Sequence, residues 1–306
     1  MAPVPDPPPL GVPELLRQVR RVELRSRRLV NSHFSGEYHS VFKGSGLEFA
    51  EVREYLPGDD VRTIDWNVSA RTGRPHVKKY IEERELAVLL VVDLSGSQRW
   101  GTRGRWKSEL LAEVAATLAL SAVRNNDRVG LLVFSDRIEL FIPPKKGRRH
   151  VLRCLRELLA LRPAGRGTDA ALAVRYAARV LRSRSVVFLF SDFRFGAGWD
   201  AFERALTGLA VRHDVVSLVL RDPAERVLPA AGTLRLRDAE TGELRLVDSS
   251  DPATRERLAA GVHAERERKQ RLFRRLRVDA VELRTDLPYA PELLAFFRRR
   301  ETTLRQ

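Results

Sequence analysis

The residues best suited to chemistry in this chain are hard oxygen donors, and they begin where an apolar run stops. In the stretch ELAVLLVVDLSGS, Glu85 to Ser97, the apolar residues give way to Asp93, Ser95 and Ser97. A carboxylate and two hydroxyls at alternating positions suit Mg²⁺, or else Mn²⁺ or Ca²⁺, because such cations prefer oxygen ligands. The competing reading is a Ser/Gly turn whose aspartate caps the following helix. Two later segments could bring further oxygen ligands to the same place. Thr168 stands in RPAGRGTDAAL just before a helical run, and Asp192 ends the apolar stretch SVVFLFSDF.

The elements that must position these residues are strands. Leu86 to Val92 shows no alternation, is rich in β-branched residues and is short, so it predicts a strand buried on both faces, as in a parallel sheet. Ligands of open α/β sheets bind at the carboxyl ends of the strands, where Asp93 falls. DRVGLLVF predicts a second strand, IELFIPP a hairpin partner or edge strand, and 185–191 and 214–220 two more. Helical runs at 107–123, 147–161, 169–181 and 199–211 alternate with them. Repeated strand and helix units predict an α/β fold, a doubly wound and mostly parallel sheet with right-handed crossovers. Beyond Pro223 the pattern predicts a hairpin around Glu240 to Gly242, a charged helix over 252–276, a strand over 278–283 and a last helix over 291–300.

The order D-x-S-x-S, then threonine, then aspartate after a second buried strand resembles the metal-ion-dependent adhesion site of von Willebrand factor A domains. All five positions are filled, by Asp93, Ser95, Ser97, Thr168 and Asp192. The resemblance implies that these residues hold a divalent ion directly or through water, with one coordination position open to a partner's carboxylate. It also implies a von Willebrand A/Rossmann-like sheet. A second resemblance covers nearly the whole chain. The run GxGxEFxExRxYxxGDDxRxIDWxxSARTGxxxVKxxxEER from Gly44 is similar to the signature of the DUF58 family, as are NNDRVGLLVFSDR, GRRHVL, SDF, RHDVVSLVLRDPAE and DAETGE. Such proteins resemble those encoded beside MoxR-type AAA+ ATPases. The expected role is therefore an adaptor that acts with such an ATPase in the maturation or assembly of protein complexes, on a client that offers an acidic side chain.

Composition bounds the rest. The chain has 306 residues, 43% of them hydrophobic, with 55 Lys and Arg against 40 Asp and Glu, a net charge of +15 that could draw an acidic partner or nucleic acid. The basic residues are scattered among Glu and Leu, without a zinc finger or an RNA-binding aromatic motif, so nucleic-acid binding stands second. The single Cys154 excludes an internal disulfide and a cysteine-rich zinc site. A Mg²⁺-dependent hydrolase stands third, since catalysis wants a base in reach and no histidine falls near the five oxygen donors. No apolar run approaches the ~20 residues of a membrane helix, and MAPVPDPPPLGVPELL lacks the regions of a signal peptide, so the expected location is cytoplasmic.

Four segments are expected. These are a proline-rich tail over 1–13, an amphipathic helix and a β-rich block over 14–84, the core with the donor residues over 85–222, and an extension over 223–306 that completes the domain. The mixed charges of the block, Asp59, Asp60 and Asp65 with Glu82 and Glu83 among arginines and lysines, are expected to form a network that fixes turns around Trp66. The amphipathic helix could pack on the domain, meet a partner or lie on a membrane surface.

Overall fold

The computed structural model describes residues 11–42, 46–83, 85–102, 105–195, 198–226 and 228–305. Most of the proline-rich tail, Gly44 and Ser45, and the side chains of Glu82 and Glu83 lie outside the described residues. The chain divides into two compact units, one of them Phe42–Leu86 and the other the remainder.

In the larger unit, helix α1 (Val12–Leu29) runs through a π-helical turn (Val30–Phe34) into α2 (Ser35–Val41). The helix thus continues through Gly36 as far as Val41, and the first strand begins only at Gly46. Phe34 and Tyr38, one turn apart, are fully buried and meet the ring of Phe297 edge-on at 5.9 and 6.2 Å. That burial holds helical a stretch whose local pattern is weak. Helix α1 packs on the helices Lys107–Arg124 and Arg148–Ala160 of the same unit and buries Val19 and Ser26, while Leu16 and Leu24 stay exposed.

In the smaller unit, β1 (Gly46–Glu54) pairs antiparallel with β2 (His76–Glu83), and a short helix, α3 (Trp66–Thr72), lies between them in sequence. Its acids fix turns. Asp59 takes two hydrogen bonds from the Arg53 guanidinium at 2.7 and 2.8 Å, and Asp65 caps α3 by accepting from the amides of Asn67 and Val68. Gly73 ends α3 in the left-handed conformation that glycine adopts without strain. Trp66 does not pack at the centre of this network; 71% of it is exposed.

The larger unit is built on β3 (Ala87–Asp93), α4 (Lys107–Arg124), β4 (Arg128–Phe134), β5 (Ile138–Lys145), α5 (Arg148–Ala160), α6 (Ala170–Val180), β6 (Ser185–Ser191), α7 (Trp199–Arg212) and β7 (Asp214–Arg221). A hairpin, β8 (Thr233–Arg237) and β9 (Leu244–Asp248), precedes α8 (Pro252–Leu276), β10 (Asp279–Arg284) and α9 (Ala290–Arg305). The result is a mixed α/β architecture around a mostly parallel six-stranded sheet of order β10-β7-β6-β3-β4-β5, with β5 antiparallel at one edge and β10 parallel at the other. Every residue of β3 and β6 is buried, as their continuous apolar sequences require.

Leu89, Val91, Val187, Leu189, Val215 and Val219 turn to one face, against α6, α7 and the Leu272–Phe273 end of α8. Their alternate neighbours turn to the other, where α4 runs beside β3 and β4. Among the described residues no helix is long and apolar enough to cross a membrane.

Candidate functional site

Strand register brings the first two carboxylates together. Val92 of β3 stands opposite Phe190 of β6, so Asp93 is level with Ser191, and Asp192 follows one residue on. The Asp93 carboxylate, with no exposed surface, accepts from the Ser95 amide at 2.9 Å and from the Ser191 hydroxyl at 2.7 Å. The first contact folds the loop back on the strand end and starts the short helical turn Gly96–Gln98. It sets the Ser95 and Ser97 hydroxyls 3.2 Å apart, and the Ser97 hydroxyl helps to lower the pKa of Asp192. Asp93, Ser95 and Ser97 are thus joined through short contacts at the end of β3, with Asp192 buried beside them and Ser97 half-buried.

Thr168 arrives on the loop between α5 and α6. That loop is seated on the β4–β5 hairpin by Asp169 N–H donating to the Ser135 carbonyl at 2.8 Å, and by Gly165 N–H donating to Glu139 of β5 at 2.9 Å. Gly96 N–H donates to the Arg166 carbonyl at 2.9 Å, which ties this loop to the Asp93 loop. The Thr168 hydroxyl does not bond the other four donors. It donates to Glu240, from the β8–β9 turn, at 2.5 Å.

The electrostatics separate the two aspartates. Lys107, with no exposed surface, donates to Asp192 at 2.8 Å and to Glu225. Burial opposes the charge on this lysine, but the two carboxylates outweigh it and hold its pKa above the ordinary value. Burial would likewise raise Asp192, yet the Lys107 ammonium keeps it ionised and below the usual carboxylate range. Among the described residues Asp93 has no such partner. Burial, and then the charge of Asp192, push it up to about 7 against the hydrogen bonds that favour its anion. Lys269 donates to the Asp192 carbonyl at 2.9 Å, and burial lowers its pKa to about 8.

These residues fit a hard divalent cation. The donors are all oxygens, and Asp93 is a buried carboxylate without a counterion among the described residues. In the same loop Gln98, fully buried, has its amide nitrogen towards Asp93 and Ser97 while its Oε1 has no hydrogen-bond partner. Among the described residues there is no group of three or more His, Cys, Asp and Glu side chains poised for a metal, so an ion here would rest on two aspartates and hydroxyls.

Several members of the cluster escape the sequence pattern. Ser191 and Glu240 lie in SDF and DAETGE, two of the stretches that carry the family resemblance, and this was the available signal for them. Lys107 invites comparison with a phosphate-loop lysine and fails it because Trp106 precedes it. Its partners, 85 and 118 residues away, leave no local trace.

Together these features define a class: a mixed α/β protein with a buried cluster of oxygen donors at the carboxyl ends of two neighbouring parallel strands. The chain belongs to the family described as "Protein of unknown function DUF58", which matches residues 51–268. It is 34% identical over 286 residues to Uncharacterized protein Rv1480 of Mycobacterium tuberculosis, covering 93% of this chain and 89% of that protein. Uncharacterized protein YeaD of Bacillus subtilis is 29% identical over 109 residues, 36% of this chain and 25% of that one. Among solved structures, the conserved hypothetical protein BatB from Bacteroides thetaiotaomicron is similar at 16% identity. It covers 72% of this chain and 100% of its own, with a TM-score of 0.43.

Proposed function

We propose that this protein is an adaptor that captures an acidic side chain of another protein through a divalent cation, Mg²⁺ or Mn²⁺, held by Asp93, Ser95, Ser97, Thr168 and Asp192. The observation that carries the reading is the meeting of Asp93 and Asp192 in one solvent-poor, hydroxyl-lined cluster, with no cation paired to Asp93 among the described residues. The ion would supply that counter-charge and an electrophilic position for a carboxylate. Asp93 would bind it as the anion, Ser95 and Ser97 through hydroxyl lone pairs, and Asp192 through the oxygen that Lys107 leaves free.

The strand order supports the finer fold as well. Taken outward from β3, the sheet runs as a doubly wound sheet does, and its order reverses between β3 and β6, where ligands of such sheets bind. This is the arrangement that a von Willebrand A-like domain needs. The partner is a MoxR-type AAA+ ATPase, with a client protein that presents the acidic residue.

The test is calorimetric titration of Mg²⁺ and Mn²⁺ into wild type and Asp93→Ala, followed by affinity for the ATPase across a salt series with Mg²⁺ or with chelator. Binding should require the ion, be lost in Asp93→Ala and in Thr168→Ala, and resist moderate salt, because a metal-bridged contact is short and partly desolvated. Equal affinity in chelator with a steep loss in salt rejects the metal and favours attraction by the +15 charge alone.

A further inference from the structure

We propose that the β8–β9 hairpin is a built-in acidic ligand of this site. Glu240 at its tip holds in cis the place that a partner's carboxylate takes, so that a partner must displace the hairpin to bind. This rests on the carboxylate-capturing reading above and adds to it the shape of the ligand and the means by which the site is kept closed.

Two independent contacts dock the tip. The first is the 2.5 Å hydrogen bond from Thr168 to the Glu240 carboxylate. The second is steric: the Ala239 carbonyl oxygen lies against Gly96, so close that a Cβ at position 96 would sit 2.1 Å from it. Gly96 lies between Ser95 and Ser97 and takes no positive φ, so what requires glycine here is the approach of the hairpin backbone.

The turn is shaped to present Glu240. The Asp238 carboxylate accepts from the Glu240 and Thr241 amides at 2.9 and 2.8 Å, the Gly242 amide donates to the Asp238 carbonyl at 2.9 Å, and Gly242 takes a φ of 75°. A carboxylate on a stiff, narrow turn is thereby led between the two loops that carry the oxygen donors.

The rest of the hairpin is poorly anchored, as a displaceable element should be. β8 and β9 pair only with each other, outside the main sheet, and Leu236, Leu244 and Leu246 are 38%, 48% and 74% exposed. Lifting the tip therefore uncovers little apolar surface, and an isolated two-stranded ribbon is soft enough to move. The chemistry of the resident ligand also describes its competitor, an Asp or Glu side chain on a tight turn with a small residue before it.

The experiment uses the full chain and a labelled synthetic peptide that reproduces Leu234 to Leu246, titrated in Mg²⁺. A peptide with alanine at the Glu240 position is the control. Wild type should bind the peptide weakly, and Glu240→Ala at least about tenfold more tightly, because its site is vacated. An Asp238→Ala/Glu240→Ala chain, whose tip has also lost its turn, guards against an Ala239 contact that persists. Adding Thr168→Ala to either should remove the gain, and the control peptide should not bind.

Equal binding by wild type and both vacated chains, or no binding by any of them while calorimetry still detects Mg²⁺, overturns the inference and leaves the metal reading standing. Tighter binding by the vacated chains with no Mg²⁺ taken up by any protein keeps the in-cis ligand and overturns the metal.

Discussion

Replacing Asp93 with asparagine should stabilise the metal-free protein at about pH 8 and leave it nearly unchanged at about pH 4. Burial and the charge of Asp192 raise the carboxyl to about 7 in the folded protein from 3.8 for a free side chain. A group whose pKa is raised by folding contributes stability that is fully present below the unfolded value and is lost as pH rises through the folded one. The window is therefore about pH 4 to 7. At ~1.4 kcal/mol for each pH decade, full ionisation of Asp93 costs the metal-free protein about 4 kcal/mol.

Asparagine removes that cost and can keep most contacts. Its carbonyl accepts from the Ser95 amide, its amide turns to the Ser191 hydroxyl, and Gln98 can flip so that its unpartnered Oε1 accepts instead. The assay is urea denaturation in chelator, followed by circular dichroism at several pH values. Wild type should weaken across the window and the variant should not. Adding Mg²⁺ should then favour wild type by about 2.7 kcal/mol at a hundred times its Kd. Parallel pH dependence of the two proteins in chelator would falsify the assignment of that ionisation to Asp93.

Two further outcomes follow from the packing. Lys107→Met strips a buried cation from between Asp192 and Glu225 and should cost about 3–5 kcal/mol, read from denaturation at neutral pH; a loss under about 1 kcal/mol means that the carboxylates have other partners. A chain that begins at Glu83 loses Phe34 and Tyr38 from the ring of Phe297, along with the cover that α1 gives α4 and α5. It should lack a cooperative unfolding transition, and a sharp transition in that chain refutes the need for the amino-terminal helices.

What the sequence determined by itself was local. The strand Ala87–Asp93 was legible because a short β-branched run without alternation has few other solutions. Helix Pro252–Leu276 was legible as a charged helical run; the structure shows Asp251 capping it and Pro252 opening it. Asp93 and Asp192 could be placed at strand ends for the same reason, and the hairpin could be drawn around Glu240.

What only the tertiary structure decided was which of these ends meet. Helix α2 survives Gly36 because Phe34 and Tyr38 are buried on α9, some 260 residues along the chain. Lys107 pairs with Asp192, and Thr168 with Glu240 across 72 residues, because strand order and loop docking bring them together. Periodicity reports which face of an element is apolar. It carries no distance between side chains on different elements, and a buried ion pair or a docked hairpin tip is made of such distances alone.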